Sequence, residues 1–428
     1  MLDIKFIREN REIVEKAIQD KQVEGVRLDE VISLHDKRKE LQQQLSDKNA
    51  ERNKAADARD IETGRRLKEE VQGIEAEIDG LTKEFVKLMS AIPNIPSPDT
   101  PIGKDESGNK VLRQWGDKRK FGFPPKAHWD LGKDLDVIDT ERAGEISGAR
   151  FAYLKGGLAL MQLGLMQWVM QVLTNRETLD VIAQEANLSI NTKPFIPVIV
   201  PVMMRSAVMN RMARLHPLDE RYYFEKDDLV LIGSAEHTLG PLHMDEVLEE
   251  SQLPIRYIGY STAFRREAGS YGKDTKGILR QHQFDKLEME TFCLPEHSYL
   301  EQDFLVAIQE YLLRKLKLPY QAVIVCTGDM GKPDHRQIDI ETWMPGQDTY
   351  RETHSADLMQ GYQARRLNSR FRRADGKLEH VHMNDATAFA IGRTLIAIME
   401  NYQQSDGSIM VPEVLRPYVG LDVISKAV

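Results

Sequence analysis

Apolar positions in the first quarter of the chain recur at helical spacing and never gather into long runs. Ile4, Ile7, Val14 and Ile18 mark a small helical segment over residues 1–26. Over 67–88, Leu67, Val71, Ile74, Ile78, Leu81, Phe85 and Leu88 step alternately by four and three, the seam of a coiled coil. The preceding stretch holds the same register at Val31, Leu34, Leu41 and Leu45, but Arg38, Lys48 and Arg52 interrupt it. Between the two lies an acidic, alanine-rich interval, 55–64, closed by Gly64, which suits a turn. The pattern predicts an antiparallel helical hairpin over about 28–91, each helix covering the other's stripe. Pro93, Pro96, Pro98 and Pro101 then stop the second helix, because proline cannot continue the amide ladder. The predicted division is an arm over 1–102 and a body over 103–428.

In the body, short apolar runs alternate with helices. Residues 157–173 read as an apolar-faced helix, 195–204 as a strand interrupted by prolines, and 229–233 as a strand. A helix over 299–316 puts Phe304, Ile308, Tyr311 and Leu312 on one face, and another covers 388–402. Strands are predicted at 322–326 and 338–343, with a further apolar run at 381–383. Strands come in neighbouring pairs and βαβ alternation is missing, so the fold class is α+β: an antiparallel sheet with flanking helices, preceded by the helical arm. Residues 175–196 stand apart as an insertion, which either extends an interface or loops out.

Length and charge narrow the functions. A chain of 428 residues supports two or three domains, and a net charge of -9 excludes a generic basic nucleic-acid binder. RNA contact must come from local patches. The distal end of the hairpin offers one, with Lys48, Arg52, Lys54, Arg65, Arg66 and Lys68 among several acids. It is either a solvated coiled-coil face or a lever that meets an RNA backbone by charge and shape. Cys293 and Cys326 share no metal or redox spacing and read as buried thiols. The N-terminus has no apolar leader core and no run approaches a membrane span, so a soluble, cytoplasmic protein without a membrane partner is expected.

The candidate chemistry gathers at 257–288. Two apolar runs flank a loop carrying Arg265, Arg266, Lys273, Lys276 and Arg280, with Phe284 close behind and Glu267 and Glu288 among the cations. Such a loop is either a solvated charged hairpin or a polyphosphate site that also holds a cationic group.

This wording resembles motif 2 of the class II aminoacyl-tRNA synthetases, and in detail that of the seryl-tRNA synthetases. Further blocks follow in that family's order: Ser234-Ala235-Glu236, Cys326-Thr327-Gly328-Asp329, Tyr350 to Ser355, Gln363-Ala364-Arg365-Arg366, and Gly392-Arg393 onward. The resemblance covers nearly the whole chain. It implies a homodimer with a class II catalytic domain that uses ATP and Mg²⁺ to convert L-serine to seryl-adenylate. The seryl group then passes to the 3′-terminal ribose of tRNA(Ser), whose long variable arm the helical hairpin grips.

The resemblance also implies roles. Arg265 and Arg393 are the catalytic arginines, the first bridging the serine carboxylate and α-phosphate, the second covering adenine and reaching the γ-phosphate. Glu267 faces adenine or ribose, Phe284 stacks on the base, and Arg266 and Arg280 belong to the ATP site. Glu352 and Ser355 hold Mg²⁺, with Thr353 and His354 between them in the ATP-binding block. Ser234, Ala235, Glu236 and Glu288 surround the serine ammonium, the bland alternative for Glu288 being a salt bridge with an arginine. Thr387 reads the hydroxyl. The chain departs from the pattern at Ser234, in place of threonine, at 356–361, and at Asp385, an extra charge near the serine pocket. A silent RNA-binding paralogue and an amino acid:carrier-protein ligase are the rival readings. The retained Arg265, Glu288, Glu352 and Arg393 stand against the first, and the intact arm against the second.

Overall fold

The computed structural model describes residues 1–268 and 276–426. They form two compact units, Met1–Ile95 and Pro96–Val428. The division falls upstream of residue 102 because Ser97 N donates to His335 O (2.6 Å) and Thr327 N to Pro101 O (2.9 Å), tying 96–102 to the second unit.

The first unit contains α1 (Ile4–Glu9), α2 (Arg11–Asp20), α3 (Leu28–Asp57) and α4 (Ile61–Ala91). Lys37 pairs with Glu77 (2.8 Å) and Lys48 with Glu70 (2.9 Å), so α3 and α4 run antiparallel. Leu67 and Val71 are buried and the later seam positions of α4 half-buried. The polar interruptions of α3 are accommodated: Arg38 lies over the Phe85 ring (4.7 Å to its centroid) and its Nε donates to Thr82 Oγ1 (3.0 Å). The turn is shorter than 55–64. Ala55 remains a buried helical position, Asp60 caps α4 by accepting from Thr63 N (3.1 Å), and Gly64 belongs to its first turn.

The second unit is built on an eight-stranded sheet: β1 (Lys110–Trp115), β2 (Ile196–Ile199), β3 (Ile255–Phe264), β4 (Gln283–Cys293), β5 (Tyr320–Ile324), β6 (Arg336–Met344), β7 (Thr349–Gln360) and β8 (His382–Ala390). The order is β1-β5-β6-β7-β8-β4-β3-β2, antiparallel except for the β2–β3 pair at one edge. β7 is an addition to the predicted elements. β8 continues to Ala390, which places Thr387 on a strand and moves the start of the last long helix, α7 (Ile391–Tyr402), to 391.

Alternation along the strands separates two faces. Leu287, Met289, Ala356, Ala386 and Ala388 enter the main core with α5 (Gly156–Thr174) and α6 (Ser298–Lys315). α6 is riveted to the sheet: Gln302 Nε2 donates to Ala356 O (2.9 Å), and Gln309 Nε2 to Ser355 O and Thr387 O (each 2.8 Å). By length and composition α5 could cross a membrane, contrary to the sequence expectation. Leu158, Met161, Leu165, Val169 and Leu173 instead line the main core. Residues 175–196 do not loop out, since the helix Arg176–Glu185 buries Leu179, Ile182 and Ala183 there. Both cysteines are free and buried.

Candidate active site

The opposite face of the sheet carries polar side chains around a cavity of about 320 Å³. Its lining includes Glu236, Arg265, Glu267, Arg280, Phe284, Glu288, Glu352, Thr353, Ser355, Thr387 and Arg393 from the sequence-predicted set.

One end of the cavity is framed by cations and an aromatic ring. Arg265 leaves the end of β3; its Nε donates to Gly233 O (3.2 Å), and its guanidinium lies 5.3 Å from the Phe284 ring centroid. Glu267 takes a left-handed φ of +50°, pinned by Arg150 Nη1 on its carbonyl (2.9 Å), and its carboxylate accepts from Arg280 (3.2 Å). Arg393, in the first turn of α7, donates to the Glu352 carbonyl (2.8 Å) and pairs with its carboxylate (3.2 Å).

Glu352 and Ser355 are three apart on β7, a spacing that would place them on opposite faces of a regular strand. The register resolves this: Glu341 pairs with Glu352, and Asp339 with Ser355. Asp339 and Glu341 are two apart and share a face, so a bulge at Thr353 brings Glu352 and Ser355 to the same side. Asp339 and Asp329 also line the cavity and add hard oxygen donors, the kind a divalent cation prefers.

The floor is a buried charge cluster. Glu288 is paired directly across strands with Thr387 and with Gly259. Gly259 lets the 234–239 turn lie against β3, because a Cβ there would meet Leu239 Cδ1 at 2.7 Å. Ser234 Oγ is shared between Glu236 (3.0 Å) and Glu288 (3.2 Å) and accepts from Lys286 Nζ (3.1 Å). Lys286, two residues before Glu288 on the same strand face, pairs with it and lies 3.8 Å from Glu236. The internal cation beside Glu288 is thus a lysine, not the arginine considered from the sequence. Burial pushes Glu288 up to about 7 against the opposing pull of Lys286. Burial also disfavours the Glu236 anion, but Arg214 and then Lys286 hold its pKa below the ordinary carboxylate range. Glu236, Glu288 and Asp385 place carboxylate oxygens within 4.8 Å of one another. Arg214 and Lys286 already offset much of the charge of these three carboxylates, so a monovalent ammonium suits the cluster better than a divalent metal ion.

Several predicted residues lie elsewhere. His354 points to the other face of β7, hydrogen-bonded to Thr353 and 5.4 Å from the Phe389 ring, and burial lowers its pKa to about 3. It is a neutral packing residue. Ala235 is buried in a separate apolar cluster, and Ser234 acts on the cavity only through Glu236, Glu288 and Lys286. Arg266 is exposed beside Tyr222, 5.7 Å from its ring centroid. Lys276 lies near Trp129, and Lys273 falls outside the described residues. On the arm, Lys48 is engaged by Glu51 and Glu70, Arg52 is half-buried, and Lys54, Arg65, Arg66 and Lys68 are exposed. Arg214, Lys286 and Asp357 are site residues beyond the predicted set. The i, i+2 placement of Lys286 beside Glu288 was a readable signal; Arg214, on a loop, offered none.

Comparison with known proteins gives a concordant result. Residues 1–96 match the seryl-tRNA synthetase N-terminal domain, and residues 222–402 the class II tRNA synthetase core domain of the G, H, P, S and T enzymes. A serine–tRNA ligase of Thermodesulfovibrio yellowstonii is 40% identical over 441 residues, covering 99% of this chain and 100% of the relative. The crystal structure of a Pyrococcus horikoshii seryl-tRNA synthetase complexed with ATP superposes with a TM-score of 0.86 at 34% identity, covering 100% of both chains. A cytoplasmic serine–tRNA ligase of Naegleria fowleri in complex with AMP gives 0.83 at 28% identity, covering 100% of this chain and 99% of that one.

Proposed function

The chain belongs to the family of seryl-tRNA synthetases, and from that premise we propose how its own residues activate L-serine with ATP and charge tRNA(Ser). The observation that carries the reading is the pairing of Glu288 with Thr387 across β4 and β8, beside Glu236 and within one cavity with Arg265. Glu236 and Glu288 hold the serine ammonium, displacing part of their interaction with Lys286. Thr387 hydrogen-bonds the hydroxyl, so a substrate lacking it leaves a buried polar group unpaired.

Activation joins two anions, the serine carboxylate and the α-phosphate, and the protein's task is alignment and charge neutralisation. Arg265 offers two parallel donors to both groups, its position fixed by Gly233 O and the Phe284 face. Phe284 stacks on adenine, Glu267 faces its amino group or the ribose, and Arg280 and Arg393 attend the phosphates. Glu352 and Ser355, with Asp339 behind Ser355, would hold Mg²⁺, which supplies charge neutralisation at the phosphate oxygens. The distal arm cations, Arg52, Lys54, Arg65, Arg66 and Lys68, contact the long variable arm of tRNA(Ser). The chain works as a homodimer, supported by apolar Ile196 and Ile199 exposed on the edge strand β2.

ATP–pyrophosphate exchange with serine, alanine and threonine tests this reading. Exchange is expected with serine and not with alanine, followed by charging of tRNA(Ser). Lack of serine-dependent exchange would sink it, and exchange without charging would favour a carrier-protein ligase.

A further inference from the structure

Asp385, where the chain departs from the family pattern, is the middle of a row of carboxylates on three adjacent strands. It pairs in register with Glu290 on β4 and with Asp357 on β7. Like charges directly opposite one another in a sheet are destabilising, and burial together with the neighbouring acids pushes the carboxyls of Glu290, Asp385 and Asp357 well above the ordinary range. Asp385 and Glu290 are buried, and both Glu290 carboxylate oxygens and Asp385 Oδ2 lack a hydrogen-bond partner. Among the described residues, the cation paired with this row is Arg214. Its guanidinium lies 3.6 Å from Asp385, 3.9 Å from Asp357 and 3.5 Å from Glu236.

Arg214 arrives from a loop outside the sheet, with its backbone secured at both ends. Its N–H donates to Met209 O (3.2 Å), and its carbonyl accepts from Arg221 Nε (3.0 Å). Its Nε is buried without a hydrogen bond, so the side chain holds its place by charge among three carboxylates rather than by one directional contact. Two of those carboxylates bear directly on the serine pocket. Glu236 stands at the ammonium position, and Asp385 is two residues from Thr387 on the same face of β8.

We propose that Arg214 is a positioning residue for serine recognition, a bridge that fixes Glu236 relative to the Thr387 strand and partners the buried acid that Asp385 introduces. This rests on the assignment of Glu236 to the substrate ammonium. Without Arg214, Glu236 loses its tie to Asp385 on β8 and Asp357 on β7, and the ammonium and hydroxyl contacts no longer coincide. ATP, bound at the arginine-rich end, makes no use of the bridge.

The test is ATP–pyrophosphate exchange, with KM for serine and for ATP measured separately, on Arg214→Gln, Arg214→Lys, Asp385→Asn, Glu236→Gln and the Arg214→Gln/Asp385→Asn double variant. Arg214→Gln is expected to raise the serine KM roughly 10- to 100-fold, less than the full effect of breaking a buried ion pair because Arg214 acts on serine only through Glu236, with the ATP KM within about twofold. The double variant recovers part of that loss, because the uncompensated carboxylate is gone. Arg214→Lys, which retains the charge, falls between wild type and Arg214→Gln and serves if the latter does not fold. An unchanged serine KM, a parallel rise in both KM values, or a double variant no better than Arg214→Gln overturns the inference. If Glu236→Gln also leaves the serine KM unchanged, the ammonium assignment beneath it fails as well; a Glu236-sensitive, Arg214-insensitive enzyme removes the bridge alone.

Discussion

Lys286 and Glu288 leave the same face of β4, and burial raises the Glu288 carboxyl to about 7 although Lys286 opposes it. Only the anion attracts an ammonium, and with a raised pKa that anion is lost as pH falls through about 7. The value of kcat/KM for serine is therefore expected to decline below pH 7, approaching about tenfold per pH unit. Glu288→Gln lowers the plateau and removes this limb; exchange rates at low serine across pH 5.5–8.5 check it, and a limb that survives the substitution belongs to another group. Arg265 rests on a different property, geometry rather than titration. Arg265→Lys keeps the charge but not the two parallel donors. Adenylate formation should fall by about 100-fold or more while serine affinity, read by calorimetry, changes by less than about threefold; an unchanged turnover rejects the bidentate role.

The arm and the sheet differ in how openly their sequences declare them. The seam of α4 is legible because one helix repeats its burial every three or four residues for six turns or so, and a long period survives a few polar interruptions. Arg38 and Lys48 break the pattern on α3 only as letters; their stems lie in the interface and their charges reach Phe85, Thr82 and Glu70. β7 is opaque for the converse reason. Its sequence, TYRETHSADLMQ, mixes polar and apolar residues on both faces, and the bulge at Thr353 shifts the alternation midway. Motif resemblance named Glu352 and Ser355, but their common face follows from the bulge and could not be read from spacing. Arg214 escaped both routes, being a loop residue whose partners Asp357 and Asp385 lie on strands far along the chain and whose partner Glu236 opens a separate short helix. For the legible element the expected outcome is local: Leu67→Ala, at a position 1% exposed, should cost the hairpin about 3 kcal/mol. Amide exchange in α3 and α4 would report it, with serine-dependent pyrophosphate exchange unchanged; loss of that activity would contradict the separation of the two units.

At the scale of the molecule, two surfaces await partners of different kinds. Ile199 on the edge strand β2 is 86% exposed, and an apolar edge of that sort invites pairing with another chain. Ile199→Lys should shift the sedimenting species from twice to once the chain mass, and a variant that remains dimeric places the interface elsewhere. The arm presents the opposite chemistry. Most of its apolar positions hold α3 to α4, and around the short 58–60 turn the cations Lys54, Arg65, Arg66 and Lys68 face solvent among Glu51, Asp57, Asp60, Glu62 and the exposed Ile61. Among the described residues the cavity is lined by the second unit, which is where the proposed serine and ATP sites lie. A tRNA, by contrast, gains affinity when several such cations displace its condensed counterions into solution, and that gain weakens as salt rises. Deleting about residues 35–85 should therefore leave serine-dependent pyrophosphate exchange within about twofold of the full chain while abolishing charging of tRNA(Ser). Reversing Arg65, Arg66 and Lys68 to glutamate should raise the KM for tRNA and flatten its salt dependence without altering the KM for serine. Equal loss of exchange and charging in the deletion would mean that the arm supports the catalytic unit itself.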